Sequence, residues 1–138
     1  MTLLAFTDGA ARGNPGEAGI GVIVKDEEGN TVLSLNGYIG KTTNNVAEYT
    51  ALLTLLTRMK DIQCRRLVVH SDSELMVRQV KGQYKVKNEE LKKHHAKVMV
   101  LLGSLPFKVQ LKHIPREQNK DADMLANIGI DTKSVIAA

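Results

Sequence analysis

Four acidic residues fall at the ends of expected elements: Asp8, Glu48, Asp72, and Asp121 or Asp123. Carboxylates gathered in one place repel one another, and burial adds to the cost of their charge. Hard divalent cations with oxygen ligands relieve both penalties, and Mg²⁺ or Mn²⁺ suits a set that contains no cysteine. Two such ions about 4 Å apart can activate a water and stabilise a leaving oxygen in phosphodiester hydrolysis. The alternative is a scatter of helix caps and turn acids that share no site.

Each acid needs an element to place it. Asp8 follows the apolar run from Leu3 to Phe6, after which the chain breaks into glycine and proline. This predicts a short buried strand with Asp8 at or just past its C-terminal end, where open α/β sheets bind ligands. The loop to Gly16 carries Arg12, Asn14 and three glycines, so its amides are expected to approach a phosphate closely. An Asp-Gly turn joining two strands is the competing interpretation. Residues 19–25 and 31–38 continue as strands around a turn at Asp26–Asn30, giving an antiparallel meander. A helix is expected from an Asn45 cap to about Lys60. Glu48 is then either the partner in a capping box or the first member of the inward stripe Leu52, Leu55, Leu56, Met59.

The apolar run Arg66–Asp72 follows a helix, so it is expected to lie parallel to the first strand, with Asp72 at the same sheet edge as Asp8. Residues 73–80 read as a short helix and Lys81–Lys87 as a basic loop. Asn88 caps a helix running to about Leu102 and closed by Gly103, with Leu91, His95, Val98 and Leu102 inward. His94 and His95 are left outside the site as partnered boundary residues. Phe107–His113 alternates as an outer strand that delivers His113 to the level of the acids. A short helix at 119–127 turns Ala122, Leu125 and Ala126 inward, and the tail from Thr132 is expected to fray. The order implies a mixed sheet with helices packed on it, one α/β domain over residues 1–138.

Composition narrows the class. The chain's 138 residues are the size of one domain, and 43% hydrophobic residues suffice for a core. A net charge of +4 permits nucleic-acid binding, with basic residues clustered at 81–97, away from the acids. The single cysteine, Cys64, excludes an intrachain disulfide and suits a reducing cytoplasm. No apolar run approaches membrane length and no signal peptide is evident, so no membrane partner is expected.

Several blocks together carry a resemblance. Thr7-Asp8-Gly9 with Gly13-Asn14-Pro15-Gly16, Thr42-Thr43-Asn44-Asn45 with Glu48, Asp72-Ser73, and Ala122-Asp123-x-Leu125-Ala126 resemble the ribonuclease H type 1 family in order and spacing over nearly the whole chain. The resemblance implies a ribonuclease H-like fold. Its five-stranded mixed sheet has strands 1–3 antiparallel and strands 4–5 parallel, flanked by helices. It implies an endoribonuclease that hydrolyses the RNA strand of RNA–DNA hybrids with two divalent ions, Mg²⁺ or Mn²⁺, leaving 3′-hydroxyl and 5′-phosphate ends. On this resemblance the metal ligands are Asp8, Glu48, Asp72 and Asp123, which favours Asp123 over Asp121. His113, ten residues before Asp123, matches the family's mobile histidine. Asn14, Asn44 and Asn45 match contacts to ribose hydroxyls and the RNA backbone, and Thr43 matches the residue that grips a DNA-strand phosphate. The residue chemistry agrees. Amides both donate to and accept from a 2′-hydroxyl, a helix N-terminus with a hydroxyl suits a phosphate, and an imidazole titrates near neutrality.

There are departures from the family pattern. Glu74 follows Asp72-Ser73 where many members carry Gln or Asn toward the RNA, an extra charge expected to weaken binding or alter metal preference. The chain has no tryptophan and is short after Val80, so the tryptophan-lined basic protrusion of some members is absent or reduced. Lys81, Tyr84, Lys85 and Lys87 are expected to substitute for it, a solvated loop being the alternative. Arg116 replaces part of a glycine-rich loop and is expected to contact a phosphate. A monomer with no separate hybrid-binding domain before Met1 is expected. Two other functions are carried as alternatives: cleavage of double-stranded RNA at the same site, and a nucleic-acid-binding protein with a decayed site. The presence of all four carboxylates argues against the second.

Overall fold

The computed structural model describes residues 1–136. Strands β1 (Thr2–Gly13), β2 (Gly16–Lys25) and β3 (Thr31–Thr42) precede helix α1 (Asn44–Met59). Strand β4 (Arg66–Ser71), helices α2 (Glu74–Val80) and α3 (Glu89–Ser104), strand β5 (Lys108–His113) and helix α4 (Lys120–Thr132) follow, with a 3-10 turn at Arg116–Gln118. The strands form one sheet in the order β3-β2-β1-β4-β5. The β1–β2 and β2–β3 pairs are antiparallel, and the β1–β4 and β4–β5 pairs are parallel. This is the mixed five-stranded sheet expected from the sequence.

The first strand differs from expectation. It does not end at Asp8 but continues to Gly13, paired with β2 throughout, and turns back at Asn14-Pro15. The predicted glycine-rich loop is therefore a β-hairpin. The reason is that β1 has two partners of unequal length. Its parallel pairing with β4 stops at Thr7–Ser71, while its antiparallel pairing with β2 runs six residues further. Asp8 thus lies in mid-strand, yet at the point where β4 falls away, the crevice where such sheets bind ligands.

Successive strand residues face opposite sides, and two glycines on opposite sides fix where the helices land. On one side, a Cβ on Gly9 would lie 2.2 Å from the Ala47 carbonyl carbon, so α1 rests directly on the β1 backbone. On the other, Gly21, the cross-strand partner of Asp8, would place a Cβ 2.1 Å from the Ala122 carbonyl oxygen of α4. The main core lies between the sheet and α1, with Leu3, Ala5, Val22 and Val24 against Tyr49, Leu52, Leu55 and Leu56, all fully buried. Gly9→Ala forces backbone against backbone and is expected to cost roughly 3 kcal/mol or more, at the upper end of overpacking penalties. Urea denaturation measures this, and wild-type stability would contradict the contact.

Three helix boundaries also differ. The α1 cap is Thr43, whose Oγ1 accepts from the Val46 amide at 3.3 Å, so Asn45 is not the cap and Glu48 has no capping-box role. Gly103 lies inside α3, which ends at Ser104 as Pro106 approaches. α4 extends five residues beyond its expected end at Asn127, because Gly129 and Ile130 bury against the sheet. Nor does the tail fray through Ile136. The Ser134 carbonyl accepts from the Tyr38 amide at 2.8 Å, the Ser134 hydroxyl bonds Asn36, and Ile136 packs over Gly37. Ala137 and Ala138 lie outside the described residues.

Candidate active site

Glu48 opens the buried stripe of α1 and is itself only 4% exposed. Because Gly9 lets the helix approach, the Glu48 carboxylate accepts from the Gly9 amide at 2.8 Å, beside Asp8. Asp8 is 5% exposed, and Asp72 follows the last residue of β4. Carboxylate oxygens of Asp8, Glu48 and Asp72 lie within 4.8 Å of one another. Asp123, carried by the first turn of α4, lines the same cleft as these three acids, and its charge helps raise the Asp8 carboxyl. Acids distant in sequence, from β1, α1, the end of β4 and α4, thus meet at the divergence of two strands.

They open onto a cleft of about 400 Å³ that Asn44 and Arg116 also line. Asn14, at the hairpin turn, reaches the same rim, its Oδ1 accepting from the Asn44 amide at 3.1 Å. His113 ends β5 opposite Ser71 and is exposed. Asn45 is exposed on the first turn of α1. Lys85 and Lys87 do not line this cleft; Lys85 borders a separate one with Gln79, Tyr84 and His95. The loop that carries Lys85 is firmly held. The Arg78 carbonyl accepts from the Gln83 and Tyr84 amides, and the Arg78 guanidinium lies 5.4 Å from the Tyr84 ring centroid. The negative charge of Glu74 is paired with Arg78 at 3.2 Å. His95 contacts the Gln79 carbonyl and His94 the Glu90 carbonyl, so neither histidine is at the acids.

One residue at the site escaped sequence reasoning. Asn119 sits where an Asn reads as a helix cap, yet its side chain makes no cap bond. It turns inward, 1% exposed, and donates from Nδ2 to the Thr7 carbonyl at 2.9 Å and to Asp72 Oδ2 at 3.4 Å. Its position four residues before Asp123 was the available signal.

Burial, then the neighbouring Glu48 and Asp72 charges, push the Asp8 carboxyl up to about 9. Burial likewise raises Glu48 to about 8, against the opposing pull of the Gly9 amide and Arg116. Both sit higher in the folded chain than unfolded. Their contribution to stability is therefore complete below the ordinary values of 3.8 and 4.5 and is lost as pH rises through about 8 to 9. Thermal melts in a chelator are expected to fall in midpoint from pH 5 to pH 9, and less so with Mn²⁺ present. A fall unchanged by Asp8→Asn would show that other groups cause it. An all-oxygen donor set this close, with two members buried, has the chemistry of a hard divalent-cation site.

A family model for reverse transcriptase-like proteins matches residues 6–129. A compost-derived ribonuclease, LC11-RNase H1, in a crystal structure of its complex with an RNA/DNA hybrid, is 46% identical, with 94% of this chain and 97% of that one aligned at a TM-score of 0.89. RNase H1 from Halobacterium salinarum superposes at a TM-score of 0.90 with 32% identity over 96% of this chain and 99% of its own. The chain belongs to the ribonuclease H type 1 family. It is also 36% identical over its full length to a bifunctional protein of Mycobacterium tuberculosis, of which it spans 38%.

Proposed function

We propose that the chain is a single ribonuclease H domain that hydrolyses the RNA strand of RNA–DNA hybrids, acting as a cytoplasmic monomer. The observation that carries this is the convergence of Asp8, Glu48 and Asp72 within 4.8 Å, in a cleft whose rim carries Asn44 and Arg116. The hybrid-bound state of LC11-RNase H1, a 46% identical relative, supports the substrate class. No helix among the described residues is long and apolar enough to cross a membrane.

The residues divide the work by chemistry. Asp8, Glu48, Asp72 and Asp123 would hold two Mg²⁺ or Mn²⁺ ions. Ions held there would supply Lewis acidity, activating water and neutralising charge on the leaving oxygen. The Gly9 amide fixes one oxygen of Glu48, which orients the other. The Thr43 hydroxyl accepts from Val46 and so keeps its proton to donate to a phosphate of the DNA strand. Asn14 and Asn44, tied together at 3.1 Å, and Asn45 read ribose hydroxyls, the feature that separates RNA from DNA. His113 moves a proton at the rim or eases product departure. Arg116, Lys85 and Lys87 contact phosphates.

Matched RNA–DNA, RNA–RNA and DNA–DNA duplexes incubated with Mg²⁺ or Mn²⁺ test the reading. Cleavage of the hybrid's RNA strand alone is expected; cleavage mainly of RNA–RNA would select the double-stranded RNA alternative, and none at all a binding protein. Affinity for hybrid should fall steeply with salt, and Lys85→Ala with Lys87→Ala should flatten the log–log slope by up to about 1.8 if both contact phosphates. An unchanged slope removes that loop from the interface.

A further inference from the structure

We infer that Asn119 is a positioning residue that clips three of the acid-bearing segments together and sets the ion affinity of the carboxylate site; this rests on the proposed role of that site. Thr7 is the last β1 residue paired with β4, so beyond it the sheet no longer guarantees a partner for exposed carbonyls. Asn119 Nδ2 takes up the Thr7 carbonyl at 2.9 Å, one residue before Asp8. The same nitrogen reaches Asp72 Oδ2 at 3.4 Å. The Asn119 main-chain carbonyl accepts from the Asp123 amide at 3.1 Å, and its own amide donates to the Arg116 carbonyl at 3.0 Å. One residue therefore touches the β1 backbone beside Asp8, the Asp72 carboxylate, and the backbone of Asp123.

The other end of the amide shows what is being selected. Among the described residues, Asn119 Oδ1 is buried without a hydrogen-bond partner. A buried acceptor left unpaired costs stability, whereas an apolar side chain of the same shape would leave no such orphan. Asparagine at this position is therefore worth its donors, which hold the backbone carbonyl beside Asp8 and the Asp72 carboxylate. Hydrogen bonds that orient ligating carboxylates govern ion affinity, and their loss commonly costs 10- to 100-fold.

The test compares wild type, Asn119→Leu and Asn119→Ala. Calorimetric titration with Mn²⁺ alone, without nucleic acid, is expected to show at least about 10-fold weaker binding in both variants. In steady-state cleavage, kcat at fixed Mn²⁺ should fall while KM for hybrid holds, and raising Mn²⁺ should restore part of the rate. Asn119→Ala keeps the test open if the larger residue prevents folding, and circular dichroism reports folding in each. Asn119→Gln, which retains the donor, should recover more ion affinity than either. Variants that bind Mn²⁺ and turn over as wild type does, changing only the melting temperature, would reduce Asn119 to a structural clip. Wild-type protein that neither binds Mn²⁺ nor cuts hybrid would instead overturn the reading of the carboxylate site itself.

Discussion

Asp8→Asn is expected to abolish cleavage, by at least about 10³-fold, while the ion-free protein becomes more stable. The two effects share a cause. Asp8 is 5% exposed and its oxygens sit within 4.8 Å of those of Glu48 and Asp72. Metal-assisted charge stabilisation is worth several kcal/mol, and each 1.36 kcal/mol is tenfold in rate, so losing one charged ligand removes roughly three orders of magnitude or more. Without ions the same charge is a liability, which is why the Asp8 carboxyl is pushed up to about 9. A neutral amide of equal size relieves burial and repulsion, and a gain on the order of 1 to 3 kcal/mol at neutral pH follows. Activity and stability thus move in opposite directions, which separates a lost ligand from a damaged fold. Cleavage within tenfold of wild type would remove Asp8 from the ion site.

His113→Ala carries the second-largest effect, a fall in turnover of about 10²-fold. The histidine is exposed at the end of β5, its backbone paired with Ser71, the residue before Asp72. Truncating an exposed side chain changes stability by about 0.5 kcal/mol at most, so a rate loss cannot be ascribed to unfolding. It should stay well below the loss for Asp8→Asn, since the proposed mechanism assigns activation of water to the ions rather than to the imidazole. A role in proton transfer makes that deficit pH-dependent. Single-turnover and steady-state rates from mildly acidic to mildly alkaline pH measure it. A deficit in steady-state turnover alone assigns His113 to product release, and equal rates throughout remove it from the mechanism.

Local pattern carried much of this in the sequence. The inward stripe of Glu48, Leu52, Leu55, Leu56 and Met59 has a helical period, and all five residues are buried. The apolar run ending at Asp72 follows a helix, and β4 does lie parallel to β1. What escaped depends on partners remote in the chain. Whether β1 stopped at Phe6 or ran to Gly13 turned on the length of β2, and short-range glycines mimicked a loop. The end of α4 turned on Gly129 and Ile130 meeting the sheet, which periodicity within residues 119–127 does not reveal. Asn119 was hidden because a helix cap and an inward-turned amide have the same one-residue signature.

The tail beyond α4 has a bearing on how molecules of this chain meet one another. β3 is a twelve-residue strand at the border of the sheet, and a long border strand invites pairing with another chain and aggregation. Ser134 occupies part of that border, taking the Tyr38 amide, while Lys133 pairs with Glu17 and lies 4.3 Å from the Tyr38 ring centroid. Four residues after a helix thus occupy a stretch that a neighbouring strand would otherwise zip onto. The segment that carried no signal in the sequence thus covers part of the sheet border opposite β5.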